Sequence, residues 1–117
     1  MKNLKVVKVK SEEIEFENGI RLLSEHSQDC CENHYLDFND LKIEDFDGLT
    51  FNLSTDDFFK RVPDYGIELI PNSGFPIRIA GHGYNNGYYS SRLDLVLTDG
   101  KNYTKTYDIT ECQDIEG

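Results

Sequence analysis

No tryptophan, one methionine, three prolines and three cysteines occur in this 117-residue sequence. Each shortage excludes something. Three cysteines cannot build the disulfide framework that staples a small secreted domain. No apolar run approaches the ~18 residues of a membrane-spanning helix. The opening Met-Lys-Asn-Leu-Lys-Val-Val-Lys-Val-Lys lacks both an apolar core and a small-residue cleavage site, so no signal peptide is expected. A cytoplasmic setting follows as the expectation, with Cys30, Cys31 and Cys112 as free thiols. Basic charge is also scarce. Twelve Lys and Arg face 22 Asp and Glu, for a net charge of -10, so DNA, RNA and anionic membranes are not expected as direct partners. P-loop, Gly-rich dinucleotide turn, Gly-x-Ser-x-Gly and His-Glu-x-x-His signatures are all missing.

What is present describes a folded β protein. Hydrophobic residues make up 38% and include seven tyrosines and seven phenylalanines, a globular composition and not a disordered one. No repeat or linker divides the chain, so a single domain over residues 1–117 is expected, its tail loose after Cys112. The charge is uneven. Residues 1–10 carry four lysines and no acid, whereas residues 11–68 carry sixteen acids against four bases. Solubility is the simplest account of that excess.

Alternation marks the strands. Leu4 to Val9 reads as a first strand. Ile14 and Phe16 alternate with Glu13, Glu15 and Glu17, then Asn18-Gly19 and Ile20 to Leu23 complete a hairpin signal. A three-residue loop, Glu17-Asn18-Gly19 with Gly19 left-handed, pairs Ile14 with Leu22 and Glu15 with Arg21; a two-residue loop would mix the faces. His34, Leu36 and Phe38 form a further strand, residues 39–48 a loop with room for one helical turn, and Leu49, Phe51 and Leu53 a short strand. Ser54 to Arg61 reads as the one helix, capped by Ser54 and stopped by Pro63. Ile67–Ile70 and Phe75–Ile79 form a second hairpin. Leu93–Leu97 and Tyr103–Ile109 form a third, with Leu97 expected opposite Tyr103 and Leu93 opposite Tyr107. About eight short strands and one small helix predict a mainly antiparallel sheet folded as a sandwich, roll or partly closed barrel.

Two stretches carry candidate chemistry. His26-Ser27-Gln28-Asp29-Cys30-Cys31-Glu32-Asn33-His34 concentrates two histidines and two cysteines between two strands. With Cys112, the set His26, Cys30 and His34 has the donors of a tetrahedral zinc site. Adjacent cysteines on a strand point to opposite faces, so at most one of Cys30 and Cys31 could join it. A thiol nucleophile at Cys30 or Cys31 is the other chemical option, opposed by Asp29 and Glu32, which disfavour a thiolate. A fold-determining connection with no cofactor is the leading reading, with a zinc or thiol enzyme the alternative. The second stretch, Gly81 to Tyr89, reads as a loop whose His82, Tyr84, Asn85, Asn86, Tyr88 and Tyr89 offer rigid amphipathic contacts typical of binding surfaces. The acids of residues 12–17 alternate on a solvent face, and those of residues 37–47 lack calcium-loop spacing.

The string His26-x-Gln28-Asp29-Cys30-Cys31-Glu32, followed by an aromatic–aliphatic strand, resembles the signature of an uncharacterised family of small bacterial and bacteriophage proteins. Tyr65-Gly66-Ile67 and Gly87-Tyr88-Tyr89-Ser90 are similar to that family's second half, for a span of roughly residues 12–110. The chain departs from it at Asn33-His34, which weakens His34 as a ligand. The resemblance implies a cytosolic accessory protein of bacteria, linked to phage or mobile elements, and no assigned activity. Together these features point to a non-enzymatic interaction module that binds a protein partner, or itself, through a sheet edge and the Gly81–Tyr89 stretch.

Overall fold

The Asn18-Gly19 turn sets the register of the first sheet. In the computed structural model, which describes residues 2–25, 33–84 and 93–116, both residues are left-handed, at φ 68° and 74°. Strands β1 (Val6–Val9), β2 (Glu13–Phe16) and β3 (Arg21–Glu25) follow one another as antiparallel neighbours. Ile14 pairs with Leu22 and Glu15 with Arg21, and Phe16 N donates to Ile20 O at 2.7 Å, as the three-residue loop requires. That parity sends Ile14, Phe16 and Leu22 inward, all but fully buried.

Next along the chain, β4 (Asn33–Asp37) leads to a 3₁₀ turn at Ile43–Phe46. Of the expected Leu49–Leu53 strand only Phe51 pairs, in a single bridge to Leu4. The expected helix at residues 54–61 is not formed. Thr55, not Ser54, accepts from Asp57 N at 3.3 Å, and one 3₁₀ turn (Asp56–Phe58) passes directly into β5 (Phe59–Val62). A helix this short has little stability of its own. As a strand, the same residues gain four backbone pairings with β6 (Gly66–Leu69) and bury Phe59.

Strand β7 (Ile77–Tyr84) pairs with β6 as the second expected hairpin, Ile67 opposite Ile79, then runs on through Gly81 to Tyr84 beside β4. The Gly81–Tyr84 portion of the expected loop is therefore strand. The tail corrects a second expectation: β10 (Asp114–Glu116) is not loose but pairs in parallel with His82–Tyr84. Gly81 makes this possible, because a Cβ there would lie 2.2 Å from the Cys112 carbonyl oxygen. The glycine marks a close backbone approach rather than a turn.

Strands β8 (Asp94–Thr98) and β9 (Thr104–Asp108) complete the first sheet, ordered β1-β2-β3-β8-β9. Their pairing is displaced by two residues from expectation, Leu97 facing Lys105 and Leu95 facing Tyr107. The shift keeps parity, so the same residues point inward. Asp99 causes it: its Oδ1 accepts from Lys101 N and Tyr103 N, a tight cap that places Tyr103 inside the turn. Those backbone donors, Tyr103 first, hold the Asp99 carboxyl below the usual carboxylate range.

The second sheet runs β5-β6-β7-β4 antiparallel, with β10 added to the β6 side of β7. Inward residues from both sheets, among them Phe16, Leu22 and Leu97 from one and Leu36, Ile67 and Ile79 from the other, form one hydrophobic core. The architecture is mainly β, two sheets in a sandwich-like arrangement, with no α-helix among the described residues and no closed barrel.

Candidate binding groove

The outward side of β3 alternates opposite to the core: Arg21, Leu23 and Glu25 face away from Leu22. Cross-strand register sets Glu13 beside Leu23 and Thr98 beside Arg21 on that same face. β4, which belongs to the other sheet, passes alongside. Its Leu36 N donates to Ser24 Oγ at 3.0 Å, the one side-chain hydrogen bond between β3 and β4 among the described residues. Beside that contact lies a groove of about 670 Å³, lined by residues of both strands and of their neighbours. Glu12, Glu13, Arg21, Leu23, Glu25 and Tyr35 are among the residues that line it.

Electrostatics give the groove a sign. Arg21 Nη1 lies 3.7 Å from Glu13 Oε1, a loose pair. The other oxygen, Glu13 Oε2, is out of contact with solvent and has no hydrogen-bond partner. Glu12 and Glu25 are exposed and form no ion pair among the described residues. Among the described residues, Glu12, Glu13 and Glu25 thus share the groove lining with Arg21. The expectation that the acids of residues 12–17 all lie on a solvated face fails at Glu13, whose side chain is only 19% exposed. From Glu25 the register continues to Asp94 and then Asp108, so a row of acids crosses β3, β8 and β9.

At the rim, Tyr35 pairs with His82 of β7, their ring centroids 5.5 Å apart at 44°. His82 Nε2 approaches Asp37 Oδ2 at 3.7 Å, an ion pair whenever the imidazole is protonated. Tyr35 is 40% exposed and His82 half-exposed, so the pair presents a ring surface to solvent. His82, one of the expected binding residues, meets the groove only through its contact with Tyr35, which lines it. Tyr84 ends β7, and Asn85, Asn86, Tyr88 and Tyr89 lie outside the described residues.

Of the cysteine–histidine set, only His34 and Cys112 are among the described residues. His26, Cys30 and Cys31 lie outside the described residues; His34 belongs to β4. Cys112 is fully buried in the core, and burial, reinforced by Glu111, pushes its thiol up to about 11. Among the described residues no three His, Cys, Asp or Glu side chains are disposed to hold a metal ion.

Glu13, Arg21, Tyr35 and Asn39 were not legible as site residues. The parity of β2 and β3 marked the first two as outward. Nothing local signals that a strand of the other sheet will pass beside them. Compared with known protein families, curated proteins and solved structures, the chain matches none.

Proposed function

We propose that this chain is a non-enzymatic protein-interaction module that engages its partner at the β3–β4 margin. The observation that carries this is the groove with its exposed Tyr35–His82 rim, a concave polar site beside rigid aromatic surface. Glu13, Arg21, Glu25 and Tyr35 stand on sheet strands, so little ordering entropy is lost on binding. The bacterial and phage context implied by the His26–Glu32 string belongs to the same proposal, as does a cytoplasmic setting.

A photo-crosslinking amino acid in place of Tyr35, in the full chain expressed in bacteria, tests it. A discrete protein adduct from position 35, or a dimer of the chain, is expected, with none from the exposed position Lys60 on β5, at the opposite edge of the second sheet from β4. The same yield from both positions, or no adduct from position 35, overturns it.

A further inference from the structure

We infer that Asn18-Gly19 is a site of spontaneous deamidation that the folded β2–β3 hairpin holds shut, and that reaction there disables the hairpin. Three observations carry it. First, both residues are exposed, and an asparagine followed by glycine is the pair most prone to this chemistry. Glycine has no side chain to shield its backbone nitrogen from the neighbouring amide. Second, Asn18 sits at φ 68° and ψ 15°. A ψ this close to zero nearly eclipses Gly19 N with Asn18's own nitrogen, well away from the Asn18 Cβ. Closure of the cyclic imide needs Gly19 N beside Cβ, so the Cα–C bond of Asn18 must first rotate. Third, the turn resists that rotation. Phe16 N donates to Ile20 O at 2.7 Å across it, Glu17 N donates to Lys5 O at 3.0 Å, and Phe16 and Ile20 are buried. Attack therefore waits on local opening of the hairpin.

The step consumes only water. Gly19 N loses its proton to base and bonds to Asn18 Cγ. The bond from Cγ to Nδ2 breaks, and that nitrogen departs as ammonia, taking up the proton. Water then opens the imide on one of two sides. Cleavage between Gly19 N and Cγ leaves an ordinary peptide bond and an aspartate side chain. Cleavage between Gly19 N and the main-chain carbonyl carbon leaves isoaspartate, whose backbone runs through Cβ and Cγ and is one atom longer. Aspartate tolerates the left-handed region as asparagine does, so the first product fits the turn. The second does not. The loop of Glu17, Asn18 and Gly19 fixes the register that pairs Ile14 with Leu22, and an added backbone atom breaks that closure. Glu13 and Arg21, which line the groove, stand on the same two strands.

The experiment ages the full chain in mildly alkaline buffer, folded and in urea, and maps deamidation by proteolysis and mass spectrometry. Asn86-Gly87, the other Asn-Gly pair, gives the intrinsic rate in the unfolded chain. Unfolded, Asn18 is expected to convert as fast as Asn86. Folded, it is expected to convert at least about tenfold more slowly than unfolded, and low urea should raise that rate together with exchange of the Phe16 amide. Equal rates folded and unfolded overturn the gate, and no conversion of Asn18 in urea overturns the site. The isoaspartate form, separated by chromatography, is expected to melt below the fresh chain and to exchange the Phe16 amide faster. Asn18→Asp carries the new charge without the extra atom and should melt with the fresh chain. An isoaspartate form as stable as the fresh chain overturns the loss of the hairpin. Asn18→Asp melting as low as the isoaspartate form overturns the inserted atom as its cause.

Discussion

The two sheets meet at two contrasting margins, edge strand β5 against edge strand β9 and edge strand β4 against the central strand β3, built from opposite materials. Where β5 meets β9, Phe58, Phe59 and Tyr107 pack with ring centroids 5.0 to 5.8 Å apart. Polar contacts overlay those rings: Tyr107 Oη donates to Asp56 Oδ1 at 2.8 Å, and Arg61 Nε donates to the Asp108 carbonyl at 3.1 Å. That margin is sealed. Where β3 meets β4, a serine hydroxyl is the bridging group and a cavity remains. Rings fill space and exclude water, whereas short polar side chains and repelling carboxylates cannot. The same fold thus spends its aromatics on closure at one side and leaves the other free to bind.

The largest effect should come from breaking the sealed margin. Phe58→Ala removes a buried ring shared by two partners, and we expect a loss of about 3–5 kcal/mol in urea unfolding. If the loss is below ~1 kcal/mol, the aromatic seam does not hold the sheets. Gly81→Ala comes next. Its Cβ would collide with the Cys112 carbonyl, so we expect about 1–3 kcal/mol of destabilisation and faster amide exchange over Asp114–Glu116. Unchanged exchange there would deny β10 its dependence on Gly81.

Tyr107→Phe deletes one hydrogen bond to Asp56 and should cost about 0.5–1.5 kcal/mol. The alkaline limb of stability probes the same side. Burial raises Tyr107, followed by its bond to Asp56, and burial likewise raises Cys112 from 9.0 to about 11. Both groups ionise at lower pH in the unfolded chain, so their contribution is intact below about pH 9 and is lost as pH rises through the folded values. Cys112→Ala should flatten the decline between about pH 9 and 11; an unaltered slope would mean that the thiol does not titrate in that window. The smallest effect belongs to the open margin. Glu13→Gln weakens a loose ion pair but relieves an unpaired carboxylate oxygen, and we expect less than about 0.5 kcal/mol in either direction by thermal melting. A large loss would show that the open margin too is a stability element.

Legibility followed locality. The β2–β3 hairpin was readable to the residue, because Asn18-Gly19 and the alternation of Ile14, Phe16, Ile20 and Leu22 lie within nine positions. The β8–β9 pairing was readable in parity but not in register, since an Asp99 side-chain cap moved the turn by two residues without exchanging the faces. Residues 54–61 misled because cap, charge gradient and proline stop describe a helix locally, while pairing with Gly66–Leu69 decides for strand. His82 was assigned to a loop but lies in strand β7, and Gly81, read as part of that loop, is a strand residue in close approach to Cys112.

By itself, the sequence determined the β class, the inward set of each hairpin and the acidic character, because period-two alternation, turn residues and charge act through near neighbours. Only the tertiary structure decided that the tail returns as a parallel strand, that Tyr107 and Phe58 seal one margin, and that Glu13, Arg21 and Tyr35 share a cavity. Those outcomes depend on strands far apart in the chain, and their placement is set by core packing across both sheets, not by any residue's neighbours.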